Sequence, residues 1–139
     1  MDLRPYSSSD LDACLALFDA NGLSPSFRGE FERFLASPPE TYTVAEHDGR
    51  IVGCGGYTLA ADPPSVDWCL VEPVFHRNGI GRLLAMSALR AVTAKGRSPL
   101  VRTRSTEASR RFFEHLGFRA VSTDPAGIVE MVKKLEVCA

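Results

Sequence analysis

The stretch VDWCLVEPVFHRNGIGRLL, residues 66–84, constrains the fold more than any other part of the chain. A β-rich apolar run meets a proline, passes through a basic loop with glycines spaced G-x-G, and enters an apolar helix. The helical stripe is expected to hold Ile80, Leu83, Leu84, Ser87, Ala88, Ala91 and Val92, with Lys95-Gly96 closing it. A helix N-terminus exposes unpaired N–H groups and a partial positive charge, and glycine lets a ligand approach the backbone without interference from Cβ. HRNGIG is not a Walker A loop, because no GK[ST] follows Gly81, nor a full G-x-G-x-x-G, because Leu84 stands at the third glycine position. Taken alone, G-x-G serves equally well as a tight β-to-α turn or as a phosphate cradle.

The flanking segments extend the pattern. LRPYS reads as a short edge strand, followed by a helix with Leu11, Cys14, Leu15 and Phe18 on one face that ends at Asn21-Gly22. A second helix carries Phe27, Phe31, Phe34 and Leu35 and stops at SPPE. TYTVAE and RIVGCGGYTLA form an antiparallel hairpin through Asp48-Gly49. PLVRTRS is a strand, TEASRRFFEHLGF a short helix ending at Gly117, and FRAVST and GIVEMVKKL the last two strands. The order β-α-α-β-β-β-α-β-α-β-β implies a mixed α/β sheet with helices on both faces.

Composition narrows the function. A chain of 139 residues, 45% hydrophobic, is expected to form one domain with its own core. With 16 basic and 17 acidic residues the net charge is -1, so no global attraction to a polyanion is expected and nucleic acid is not the expected partner. No apolar run is long enough for a bilayer, and MDLRPYSSSD lacks the pattern of a signal peptide, so no membrane partner and a cytoplasmic location are expected. Cys14, Cys54, Cys69 and Cys138 are scattered without CxxC spacing, which favours buried free thiols over disulfides or zinc ligands.

Two segments together carry a family resemblance. VEPVFHRNGIGRLL resembles the acyl-CoA-binding motif of the GNAT superfamily of N-acetyltransferases, and TEASRRFFEHLGF resembles that superfamily's second signature. Their separation, the helix and strand between them and the LRP opening also match, so the resemblance spans nearly the whole chain. It implies a single GNAT domain over residues 1–139, with a mostly antiparallel sheet and splayed central strands. It further implies acetyl transfer from acetyl-CoA, without a metal, to an amine of a small molecule or peptide, and leaves a homodimer open. Carried over residue by residue, it puts the coenzyme's pyrophosphate on the N–H groups of Arg77, Asn78, Gly79, Ile80, Gly81 and Arg82. The pantetheine arm falls to the backbone of Cys69, Leu70 and Val71.

The chemistry requires a group that deprotonates the amine, since a lysine-like ammonium with a pKa near ~10.4 is almost wholly protonated at neutral pH. Asp67, on the strand leading into the loop, is the candidate catalytic base; strict alternation puts it on one face with Cys69 and Val71. Glu46, Glu72 and His76 are the alternatives, although His76 stands where relatives usually have Gln or Arg and is expected to shape the loop. Phe113 occupies the cofactor-site position of the tyrosine that often protonates the departing thiolate, Arg77 replaces a frequent glycine, and Thr106 a common asparagine. The missing hydroxyl at Phe113 opens an alternative, a non-catalytic acyl-CoA-binding sensor or scaffold of the same fold. A covalent route through Cys69 lacks a histidine placed to activate the thiol. The acceptor is expected to meet the segment from Asn21 to Arg28, while Phe27, Phe31 and Trp68 at their spacings read first as core.

Overall fold

The computed structural model describes residues 1–96 and 98–135. Cys138 lies outside the described residues. Strand β1 (Asp2–Pro5) precedes helices α1 (Leu11–Ala20) and α2 (Arg28–Ala36). Strands β2 (Thr43–His47), β3 (Arg50–Thr58) and β4 (Ser65–Val71) lead to helix α3 (Ile80–Lys95). Strand β5 (Leu100–Thr106), helix α4 (Glu107–His115) and strands β6 (Arg119–Thr123) and β7 (Ile128–Lys134) complete the chain. Each expected element is present in the expected order.

The strands form one sheet in the order β1-β2-β3-β4-β5-β7-β6. All neighbours run antiparallel except β4 and β5. Helices α1 and α2 bury Cys14, Phe18 and Phe31 against Tyr42, Val44 and Cys54 on one face. On the other, α3 and α4 bury Leu89 and Phe113 against Val66, Val101, Val129 and Met131. Glycine eases the close seat of α3 on β3: a Cβ at Gly53 would stand 3.0 Å from Leu84 Cδ1 and 3.2 Å from Ile80 Cγ2, so its neighbours would have to give by a few tenths of an ångström.

The α3 stripe is rotated from the expected one. Ile80, Leu84, Ala85, Ala88, Leu89 and Val92 are buried, whereas Leu83 is 43% exposed and Ser87 faces outward. The helix sits between α4 and the glycines of β3, so the packing that those neighbours offer, rather than the best apolar average, sets its rotation.

Candidate active site

The site begins with a fault in β4. Gly56 pairs with Asp67 and Cys54 with Leu70, so Trp68 and Cys69 together oppose Gly55, a β-bulge. Trp68 takes a left-handed φ of +39°, which a non-glycine residue adopts at a cost of about 1–3 kcal/mol. Its surroundings hold it there. The Tyr42 hydroxyl donates to the Trp68 carbonyl at 2.7 Å, Phe31 packs 4.7 Å from the indole centroid, and the Arg104 guanidinium lies 5.5 Å over the ring.

The bulge corrects the expectation for Asp67. Strict alternation puts it with Cys69 and Val71, but the extra residue changes the phase. Val66 and Cys69 pack toward α3 and α4, while Trp68 and Leu70 pack toward α1 and α2. Asp67 shares its face with Ser65, opposite Val66, and so belongs to the α1–α2 side.

Strands β4 and β5 pair only at Ser65 and Arg102 and then diverge. Thr103 Oγ1, donating to the Val66 carbonyl at 3.0 Å, is the last tie before they part. Two fixed points bound the open edge. One is the Trp68 carbonyl; the other is the Val71 carbonyl, which accepts from Asn21 Nδ2 at 3.0 Å and His76 Nε2 at 2.9 Å. Cys69 and Leu70 lie between them.

A cavity of about 730 Å³ occupies the divergence. Phe18, Phe27, Phe34 and Trp68 line it, with Asp67, Cys69, Leu70 and Phe113 at the strands and α4. Asp67 accepts hydrogen bonds from Thr58 Oγ1 and from Ser65 Oγ, the latter at 2.7 Å. Burial pushes its carboxyl above the usual carboxylate range, against the hydroxyls of Thr58 and Ser65 and the charges of Arg102 and Arg104, which pull it down. A carboxylate whose proton affinity is raised by burial on a cavity wall can accept a proton from a bound amine.

The G-x-G loop follows β4. Arg77 and Gly79 have φ of +73° and +82°, and Gly79 is the N-cap of α3, which has no side-chain cap. Asn78 spends its N–H on the Phe75 carbonyl at 3.2 Å. The N–H groups of Ile80, Gly81 and Arg82 belong to the first helical turn, which has no intrahelical acceptors for them. A Cβ at Gly81 would rest 3.5 Å from both the Phe112 ring and Val71 Cγ2, an ordinary contact. An alanine-sized side chain would fit here, whereas a larger one would press on Phe112 and Val71. The geometry suits an anion on the loop and an extended arm running to the cavity.

The other expected residues separate. Glu46 is held by Arg4 at 2.8 Å, Glu72 pairs with Arg50, and His76 ties the loop to Val71; none of the three lines the cavity. Cys69 is a free thiol that burial pushes up to about 12, a poor nucleophile at neutral pH. Cys14 and Cys54 are likewise free and buried. Thr106 caps α4, accepting from the Ser109 N–H at 3.3 Å. Phe113 is 4% exposed and packs against Phe112 and Phe118 as well as on the cavity. The aromatic trio divides: Phe27 and Trp68 line the cavity, while Phe31 is core. Leu23, Ser24 and Phe27 bring the segment after α1 to the cavity wall.

Sequence reading missed Thr58 and Ser65, which hold Asp67, and the arginines Arg33, Arg102 and Arg104 on the cavity wall. The alternation of Val101, Thr103 and Ser105 with Arg102 and Arg104 signals a two-faced strand, but not which face meets a cavity. Among the described residues no cluster of His, Cys, Asp and Glu could hold a metal ion, and no helix is long and apolar enough to cross a membrane.

This fold is that of an acetyltransferase. Residues 38–120 match the acetyltransferase (GNAT) domain family, and the chain is a member of it. A GNAT-family protein from Desulfovibrio desulfuricans has the same fold, with a TM-score of 0.76 at 22% identity over 99% of both chains. The PaiA N-acetyltransferase of Thermoplasma acidophilum, solved with coenzyme A, scores 0.72 at 18% identity over 96% of this chain and 98% of its own. The ribosomal-protein-S18-alanine N-acetyltransferase of Escherichia coli scores 0.75 at 17% identity over 99% of this chain and 96% of its own. No curated protein is similar enough in sequence to count as a relative.

Proposed function

We propose that the chain acts in the cytoplasm as a single N-acetyltransferase domain over residues 1–139, moving an acetyl group from acetyl-CoA to an amine by direct attack. The observation that carries this reading is the Asp67 carboxyl, raised by burial, on the cavity where β4 and β5 part. The N–H groups of Arg77, Gly79, Ile80, Gly81 and Arg82 hold the pyrophosphate, and the Arg77 and Arg82 guanidiniums pair with its oxygens. Asn78 shapes the turn through Phe75. The backbone of Cys69, Leu70 and Val71 orients the pantetheine arm, and Phe113 packs beside its thiol end.

The acceptor enters from the α1–α2 side as an ammonium and gives one proton to Asp67. Its nitrogen lone pair then attacks the thioester carbon, a C–N bond forms, the C–S bond breaks with the bonding pair leaving on sulfur, and the second proton of the nitrogen passes through water to that thiolate, leaving an amide and a thiol. A thiolate with a free pKa near ~8.5 is a tolerable leaving group, so water can protonate it although Phe113 offers no hydroxyl.

Asp67→Asn tests the assignment. Turnover should fall by roughly 10²- to 10⁴-fold with the KM for acetyl-CoA unchanged. The wild-type kcat/KM should decline as pH falls through the raised pKa of Asp67. Because the folded carboxyl binds its proton more tightly than the unfolded one, ionising it costs stability as pH rises through that window. The amide variant should therefore be no less stable than the wild type at neutral pH, which separates lost chemistry from lost fold. Full turnover in Asp67→Asn would remove Asp67 from the mechanism.

A further inference from the structure

The charges on the cavity wall do not all find partners within the protein. Arg104, on β5, bonds Glu30 of α2 at 2.6 Å and lies over Trp68, so it is spent on structure. Arg33 lies three residues beyond Glu30 on α2, and Arg102 two residues before Arg104 on the same face of β5. Both line the cavity, and neither has a carboxylate within 4.0 Å among the described residues. Arg102 sits opposite Ser65, the residue whose hydroxyl holds Asp67. The acids left on the wall are Asp67 and Glu130.

Asp67 and Glu130 can receive an ammonium, but two guanidiniums without a carboxylate partner remain beside them, and a simple amine would leave those unmatched. Two carboxylates and two unpaired cations, set on neighbouring elements, are instead the complement of a zwitterion. Leu23, Phe27, Phe34, Trp68 and Leu70 give one part of the wall an apolar, largely aromatic surface, beside hydroxyls such as Ser24, Thr103 and Ser109.

Resting on the acetyl-transfer reading for the identity of the site, we infer that the acceptor is a free amino acid with an apolar or aromatic side chain. Its carboxylate is received by Arg102 and Arg33, its amine faces Asp67, and its side chain packs on the aromatic wall. Guanidinium suits this task because its fixed fork matches a carboxylate with paired hydrogen bonds.

The chain has one tryptophan, Trp68, and it lines this cavity, so its fluorescence reports binding without any turnover. The protein, with and without saturating CoA, is titrated with L-phenylalanine, L-leucine, L-phenylalaninamide, phenethylamine and a tripeptide beginning in phenylalanine. The free amino acids should bind roughly ten- to hundred-fold more tightly than the amide or the amine, the range expected for a charge-assisted pair. Arg102→Gln or Arg33→Gln should erase that gap while leaving the affinity for phenylalaninamide unchanged, and Arg102→Lys should restore part of it. Both side chains are exposed, and circular dichroism verifies the fold of each variant. Equal affinity for acid and amide, tighter binding of the tripeptide, or no response of Trp68 to any probe would each overturn the inference. Thiol release is followed separately. An amino acid that binds with this preference yet is not acetylated would refute the transferase reading and leave the carboxylate site standing.

Discussion

Replacing Tyr42 by Phe removes one atom from a ring that is 1% exposed, and that atom holds the strained turn on which the site depends. The Tyr42 hydroxyl is the strong donor to the Trp68 carbonyl; without it only the Cys54 thiol remains, at 3.8 Å. The ring's edge contacts with Phe34 and Tyr6 survive, so no cavity forms and the cost is electrostatic. Leaving a buried carbonyl without a strong partner costs about 1–3 kcal/mol. For a chain of 139 residues that corresponds to a fall in Tm of roughly 3–10 °C. A Trp68 backbone no longer pinned at +39° can relax toward an ordinary strand, which turns Asp67 away from the cavity. Misplacement on that scale should lower kcat by roughly ten- to hundred-fold, while the loop beyond Val71 keeps its affinity for CoA. Scanning calorimetry gives the first quantity, steady-state thiol release the second and titration calorimetry the third. A stability change below about 0.5 kcal/mol with unaltered kcat would refute the claim that this hydrogen bond maintains the bulge.

Gly81→Val should weaken CoA binding by more than roughly ten-fold, since a branched side chain on the first turn of α3 presses on Phe112 and Val71 and shifts the amides assigned to the pyrophosphate; calorimetric titration beside a circular dichroism spectrum decides it. Gly79→Val should instead lose stability, because a β-branched residue at a φ of +82° is strained whatever the space around it, and thermal melts will register the difference. Cys69→Ala should keep its turnover, as a thiol pushed up to about 12 forms little thiolate at neutral pH; an acyl-enzyme trapped in mass spectrometry would reverse that assignment.

What could be read in advance divides along a physical line. Local patterns survive folding: Asp48 and Gly49 form the hairpin turn with φ of +51° and +76°, the left-handed pair that such a turn demands. The position of β7 between β5 and β6 is different, because it depends on which distant edges find each other. The face of Asp67 was illegible for a sharper reason. Period-two alternation holds only in an unbroken strand, and nothing in DWC announces a left-handed tryptophan; Tyr42, twenty-six residues earlier, holds it. Arg102 and Arg104 could not be assigned to the site because solvent and an open cavity impose the same polarity on a strand. The G-x-G loop could be placed, since its glycines and the helix start are local, but the closeness of Phe112 and Val71 to Gly81 appears only in the folded chain.

The most direct measurement is a crystal structure of the CoA complex. The pyrophosphate should lie within hydrogen-bonding distance of the Ile80, Gly81 and Arg82 amides, with the pantetheine along Cys69 to Val71 and the thiol in the opening between β4 and β5 on the side reached by Asp67. A pyrophosphate bound elsewhere with the loop empty, or an arm that avoids the strand divergence, would contradict the account.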